Sequence, residues 1–97
     1  MIDFHTHIFP DKIAGKTLEF LSGRCKTVPF TDGTAEGLRA SGQKAGIDIS
    51  VALPVVTKPS QFESINRFAA RFLEGGVISF GGLHPDSADY REELKTL

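Results

Sequence analysis

Tryptophan is absent from the sequence, and cysteine, methionine and tyrosine occur once each. The single Cys25 has no partner for an internal disulfide, which excludes a disulfide-stapled secreted scaffold and favours a reducing, cytoplasmic setting. No apolar run approaches the roughly 20 residues that a membrane span needs. The N-terminus also lacks the basic and then hydrophobic pattern of a signal peptide. We therefore expect a soluble protein with no membrane contact.

An excess of one charge is missing as well. Lysine and arginine number 11 against 12 aspartate and glutamate residues, so the formal net charge is -1. Without a basic surplus, bulk charge indicates no nucleic-acid partner. The 97 residues and 40% hydrophobic content suit one small globular domain with a modest core.

The most unusual stretch is Met1–Pro10, which holds two histidines one residue apart. Side chains alternate between the two faces of a strand, so Asp3, His5 and His7 are expected on one face, and Ile2, Phe4 and Thr6 on the other. Two imidazoles at this spacing can reach one cation with Zn–N distances of about 2.0–2.1 Å. The alternative is an exposed strand whose outer face happens to carry polar side chains.

The rest of the chain alternates between strand and helix patterns. Residue periodicity and flanking Pro, Gly and capping residues predict strands at about 1–8, 47–55 and 77–83, and helices at about 11–22, 35–45, 60–74 and 88–97. Thr34 is the predicted N-cap of the second helix and Gly46 its C-terminal stop. Ser60 and Glu63 are predicted to form a capping box for the third helix, and Asp86 or Ser87 a cap for the last. Strands that alternate with helices indicate an α/β fold with a parallel sheet.

Three parallel strands would leave both edges of the sheet unpaired. Either the natural polypeptide continues past Leu97, which the last helix pattern favours, or copies of the chain associate through the exposed edges as an oligomer. In α/β sheets, ligands bind at the carboxyl ends of the strands. His5, His7 and His84 all map to that end in this interpretation.

Three ordered stretches, residues 1–10, 45–54 and 80–86, resemble the amidohydrolase superfamily, specifically its amidohydrolase-related (amidohydrolase 2) branch. The resemblance implies a TIM-type (β/α)8 barrel in which a divalent metal, most commonly zinc, activates water for hydrolysis of an amide, ester or related bond of a small-molecule substrate. Some members assist decarboxylation instead. His5 and His7 match the family's first-strand metal ligands, and the ligands on later strands have no counterpart here. The chain thus looks like the first three βα units of such an enzyme, a single partial domain over 1–97, which we expect to be inactive alone.

Three further residues are assigned roles beside His5 and His7. His84 is expected either to contact substrate or the metal-bound water near the site, or to be a structural histidine held by Pro85 at a helix start. Phe9 either lines the pocket or belongs to a turn, and Asp3 is expected to be structural. The competing function is a small, non-catalytic α/β metal-binding or assembly module that is completed by oligomerisation. A nucleotide-binding half-domain is weaker, because no glycine-rich turn follows the first strand.

Overall fold

The computed structural model describes all 97 residues. They form a small α/β domain whose elements are, in chain order, β1 (Ile2–Thr6), α1 (Asp11–Cys25), α2 (Ala35–Ala45), β2 (Ile49–Ala52), a 3₁₀ turn (Pro59–Gln61), α3 (Phe62–Ala69), β3 (Val77–Ser79) and α4 (Tyr90–Thr96). None of these helices combines the length and the apolar character that crossing a membrane requires.

The three strands form one parallel sheet in the order β1-β2-β3. The predicted α/β class with a parallel sheet is confirmed. Ser50, Val51 and Ala52 of the central strand are all buried, as a nearly continuous apolar run predicts for a strand covered on both faces. β1 and β3 are the edges.

Each strand is shorter than its predicted range, because neighbouring backbone groups are used elsewhere. The amide of Ile47 donates to the carbonyl of Gly42 at 2.8 Å and closes the end of α2 instead of starting β2. Pro54 has no amide proton to continue that strand. After β3, the backbone of Gly82 pairs with the side chain of Asn66 and not with another strand.

The second helix has the predicted bounds and caps. The Thr34 hydroxyl accepts a hydrogen bond from the amide of Gly37 at 3.0 Å, and Gly46 ends the helix with a φ of 74°. The first helix runs to Cys25 and not to residue 22. It ends at Lys26, whose φ is 53° and whose amide donates to the carbonyl of Ser22.

The capping box predicted for the third helix is wrong. The chain enters α3 through the 3₁₀ turn, where the Gln61 side chain accepts a hydrogen bond from the amide of Thr57 at 2.9 Å. Glu63 pairs instead with Arg67. The helix ends at Ala69 and not at residue 74, since the amides of Arg71 and Phe72 donate to carbonyls three residues back and not four.

The last helix begins at Tyr90, two residues later than predicted, and neither Asp86 nor Ser87 is its N-cap. The Ser87 hydroxyl donates to the Glu93 carboxylate at 2.5 Å. This hydrogen bond therefore joins the segment that precedes the helix to Glu93, one turn inside it.

The core lies between the sheet and the helices and is small. It is built from Ile8, Ala35, Ala52 and Val77, against which Leu38, Phe68 and Phe72 pack. The accessible surface is 7038 Å², whereas size scaling gives roughly 5,400 Å² for a folded monomer of this mass. The excess includes large apolar side chains, among them Ile2, Phe4, Ile13, Phe20 and Phe80.

Candidate metal centre

The end of β1 contains an irregularity that changes the face assignments. Asp3 is in register with Ser50 and Thr6 with Ala52, so β1 places two residues where β2 places only Val51. This is the pattern of a β-bulge. Since Ser50 and Ala52 share a face of β2, Asp3 and Thr6 share a face of the sheet. The strict alternation that grouped Asp3 with both histidines, and Thr6 on the opposite face, is therefore wrong.

The Asp3 carboxylate stabilises the backbone of the bulge. Its Oδ1 accepts a hydrogen bond from the amide of His5 at 3.1 Å. Aspartate side chains commonly bond to the backbone two residues ahead in this way. The carboxylate thus holds the peptide that presents His5.

The rings of His5 and His7 lie side by side. Their centroids are 5.1 Å apart and their planes make an angle of 79°. Two imidazoles bound to one tetrahedral zinc, with Zn–N distances of about 2.0–2.1 Å, have ring centres roughly 5 Å apart. The spacing of the pair therefore fits two ligands of a single divalent ion.

His7 is oriented by the end of the neighbouring strand. Its Nδ1 lies 2.7 Å from the carbonyl oxygen of Leu53, the residue that follows β2. A carbonyl can only accept, so Nδ1 carries the proton and Nε2 keeps its lone pair. A backbone carbonyl commonly orients metal-binding histidines through the same contact.

The pair has no third ligand within this chain. No group of three or more His, Cys, Asp or Glu side chains comes together at a single point. A catalytic zinc site needs three protein ligands. His5 and His7 can therefore supply only part of a complete catalytic site.

The segment around the histidines is held by two further contacts. The buried Thr6 hydroxyl donates to the carbonyl of Val51 at 2.7 Å, which ties β1 to β2 between the two histidines. The amide of Phe9 donates to the carbonyl of Gly33 at 2.8 Å. Phe9 and Pro10 line a cavity between α1 and α3, which neither histidine lines.

The loop that contains Gly33 is itself held by an aspartate. Asp32 Oδ1 accepts hydrogen bonds from the Thr34 hydroxyl at 2.7 Å and from the Thr34 amide at 3.0 Å. The hydroxyl contact is the main reason why the pKa of Asp32 lies below its ordinary value of 3.8. The same Thr34 caps α2, so the carboxylate, the cap and the Gly33 carbonyl form one connected turn.

His84 lies beyond the end of β3 and has different partners. Its Nδ1 accepts a hydrogen bond from the amide of Asp86 at 3.1 Å, and its carbonyl accepts from the amide of Ser87. The side chain is 18% exposed. The neutral ring therefore carries its proton on Nε2, which makes that nitrogen a donor and not a metal ligand.

Two groups that organise this end of the sheet are not predicted from the sequence. One is the carbonyl of Leu53, which no residue pattern identifies. The other is Asn66, whose amide group donates to the Gly82 carbonyl at 2.8 Å and accepts from the Gly82 amide at 2.7 Å. A signal for Asn66 was present, because it lies one helical turn after Phe62 as a polar residue among the apolar residues of α3.

Comparison of the chain with protein-family models, curated proteins and solved structures finds no match.

Proposed function

We propose that this chain carries the first βα units of a metal-dependent hydrolase of the amidohydrolase type, with His5 and His7 as two ligands of zinc or another divalent ion. The proposal depends chiefly on one observation, the adjacent rings of His5 and His7 with the Nδ1 of His7 directed at the carbonyl of Leu53. Two features support it further. The pair lies at the carboxyl end of a parallel strand, where α/β enzymes bind their ligands, and residues 1–10, 45–54 and 80–86 resemble this family.

The architecture that we propose for the complete enzyme is a (β/α)8 barrel. Support comes from the parallel order of the three strands and from the two edge strands, β1 and β3, that bound the sheet. Apolar side chains at both edges, such as Ile2 and Phe80, are 48% and 55% exposed. Additional βα units would pair with these edges and cover that apolar surface, which is the arrangement that parallel sheets favour.

A divalent metal at this site would supply Lewis-acid activation of water for attack on an amide or ester carbonyl, and in some relatives would assist decarboxylation. The residues of this chain would hold the metal and orient its ligands. His5 and His7 would offer nitrogen ligands, and the Leu53 carbonyl fixes which nitrogen of His7 is free. The remaining ligands and a general base would come from later βα units, so we expect no meaningful hydrolysis by these 97 residues alone.

His84 and Phe9 belong to the same proposal as residues near the site. The Nε2 proton of His84 is suited to donate a hydrogen bond to a substrate oxygen, and Phe9 forms part of a cavity wall. A cytoplasmic setting is also proposed, supported by the exposed Cys25, which has no second cysteine to pair with.

A second candidate is a non-catalytic α/β metal-binding or assembly module that oligomerises through its sheet edges. The exposed apolar residues at β1 favour it, with Phe4 66% exposed. Sedimentation separates the two candidates. A stable oligomer that is lost in a Phe4→Lys variant would support the module, and a monomer at all concentrations would exclude it.

Zinc titration of the purified chain by calorimetry tests the metal site. We expect one zinc per chain, with binding weakened at least about 100-fold in His5→Ala and in His7→Ala, because each substitution removes a direct ligand. The matched control is His84→Ala, which should bind zinc as the parent does. Equal zinc binding by the parent and both ligand variants would contradict the proposal.

A further inference from the structure

One cavity of the molecule adjoins the candidate metal centre, because Phe9 and Leu53, whose carbonyl contacts His7, lie in its wall. Its volume is about 620 Å³, and it is an open cleft bordered by α1, by the segment that follows β2, and by α3. None of His5, His7 and His84 lines it. The volume falls within the range of about 300–1,000 Å³ that is usual for small-molecule sites.

Apolar side chains form most of the cavity wall. Ile13 and Phe20 contribute from α1, and Ile65 and Phe68 from α3. The α1 helix has 15 residues and buries only Ala14, while Ile13 and Phe20 remain 49% and 59% exposed. This face of α1 therefore leaves apolar surface in water that an apolar ligand in the cavity would cover.

The charges at the cavity are all of one sign. Lys12, Lys16 and Lys58 line it, and none of the 12 acidic residues of the chain does so. Lys12 and Lys16 are one helical turn apart, where like charges repel each other. An anionic group at this cavity would meet three cations and no opposing carboxylate.

We propose that this cavity binds an amphiphilic carboxylate, a straight-chain fatty acid of medium length. The hydrocarbon chain lies between α1 and α3, and the carboxylate contacts Lys12, Lys16 and Lys58. This site is distinct from the metal centre, because none of the three histidines lines it, although Leu53, whose carbonyl orients His7, lies in its wall. The proposal does not rest on the hydrolase proposal. Loss of zinc binding in His7→Ala would leave it unchanged.

Calorimetric titration of the full chain with monomeric sodium decanoate tests the proposal. We expect one decanoate per chain, and octanoate should bind about 15-fold more weakly, since each methylene contributes about fourfold to the binding constant. Decanol and decyltrimethylammonium match the chain but lack the anion, and both should bind more weakly than decanoate. Absence of binding, affinity independent of chain length, or equal binding of decanol would overturn the proposal.

Two sets of variants test the two halves of the ligand. Lys16→Gln and Lys58→Gln should each weaken decanoate binding about two- to fivefold, the effect expected of an exposed ion pair. Lys44→Gln, an exposed lysine of α2 outside this cavity, is the control. Phe20→Ser should weaken binding further, whereas Phe30→Ser, at a side chain that is 97% exposed and outside the cavity, should not.

All of these side chains are largely exposed, so the variants should keep the thermal unfolding midpoint of the parent. Unchanged decanoate binding in Lys16→Gln, Lys58→Gln and Phe20→Ser would overturn the assignment. A dimer that Phe20→Ser abolishes and decanoate leaves intact would also overturn it, since the cavity would then be covered by a second copy of the chain.

Discussion

Two histidine-bearing segments follow the two edge strands of the sheet, and they use the same side chain in opposite ways. After β1, the Nδ1 of His7 donates to the carbonyl of Leu53 at 2.7 Å. After β3, the Nδ1 of His84 accepts from the amide of Asp86 at 3.1 Å. The free nitrogen is consequently an acceptor in His7 and a donor in His84.

The difference shows that the backbone group facing Nδ1 decides what each histidine can do. A carbonyl leaves the lone pair of Nε2 available for a metal, whereas an amide leaves an N–H that a metal cannot use. His7 also has a second imidazole beside it, with centroids 5.1 Å apart, while His84 is held within its own turn by Asp86 and Ser87. Residue type alone does not distinguish the two.

The largest expected effect is a loss of zinc affinity at His7 in a variant that keeps the hydrogen bond to the Leu53 carbonyl. In His7→Asn, the amide nitrogen of the new side chain can still donate to the Leu53 carbonyl, but no atom replaces Nε2. We expect zinc affinity at least about 100-fold lower with an unchanged unfolding midpoint. His84→Asn is the matched variant, and it should retain both zinc affinity and the contact with Asp86. A comparable loss of zinc affinity in the two variants would remove the distinction.

The second effect concerns Asn66, whose side chain anchors the backbone of Gly82, two residues before His84. Asn66→Ala removes both hydrogen bonds to Gly82 and should lower the free energy of unfolding by about 1–3 kcal/mol, since partly buried backbone groups lose their partners. Urea denaturation measures it. Ser64→Ala, which removes one exposed hydrogen bond from the same helix, should change stability by less than about 0.5 kcal/mol. Similar small losses in both variants would show that Asn66 is not the anchor.

The third effect concerns Gly33, whose carbonyl accepts a hydrogen bond from the amide of Phe9, two residues after His7. Gly33 has a φ of 79°, and an added Cβ would lie 3.0 Å from Leu18 side-chain atoms. Gly33→Ala should therefore destabilise the protein by about 1–2 kcal/mol. Gly15→Ala, where a Cβ in α1 meets nothing within 4 Å, should stabilise by about 0.4–1 kcal/mol. Changes of the same sign in thermal unfolding would contradict this account.

The smallest effect is the pH dependence of the turn that holds Gly33. The Thr34 hydroxyl holds the pKa of Asp32 below 3.8 in the folded protein, so the contribution of Asp32 to stability is complete above that value. It is lost as the pH falls below about 3.8 through the folded-state pKa. Comparison of acid unfolding curves for the parent and Asp32→Asn measures it, and the variant should lose less stability over this interval. Superimposable losses of stability in the two proteins would contradict it.

Sequence patterns predicted the parallel α/β class and the second helix with its caps. They succeeded where the determining interactions are local, as between Thr34 and Gly37 or at Gly46. They failed where other hydrogen bonds replace the predicted ones. The amides of Arg71 and Phe72 donate to carbonyls three residues back, which ends the third helix early, and a hydrogen bond from the Thr57 amide to the Gln61 side chain replaces the predicted capping box.

For the candidate site, too, part was predicted from the local pattern and part was not. The pattern Asp3-Phe4-His5-Thr6-His7 was enough to single out the two histidines as a pair. The alternation rule failed at Asp3 and Thr6, because one strand holds an extra residue between two pairing positions. Pairing register is a property of two strands together, and one strand's sequence does not contain it.

By itself, the sequence predicted the parallel α/β class and singled out the histidines at the strand ends as candidates, since composition, capping and periodicity act over a few residues. Only the tertiary structure decided the bulge, the orientation of His7, and the joining of α1 and α3 around an apolar cavity with a lysine-rich lining. Each of these depends on backbone groups or helix faces that lie far apart along the chain and meet only after folding.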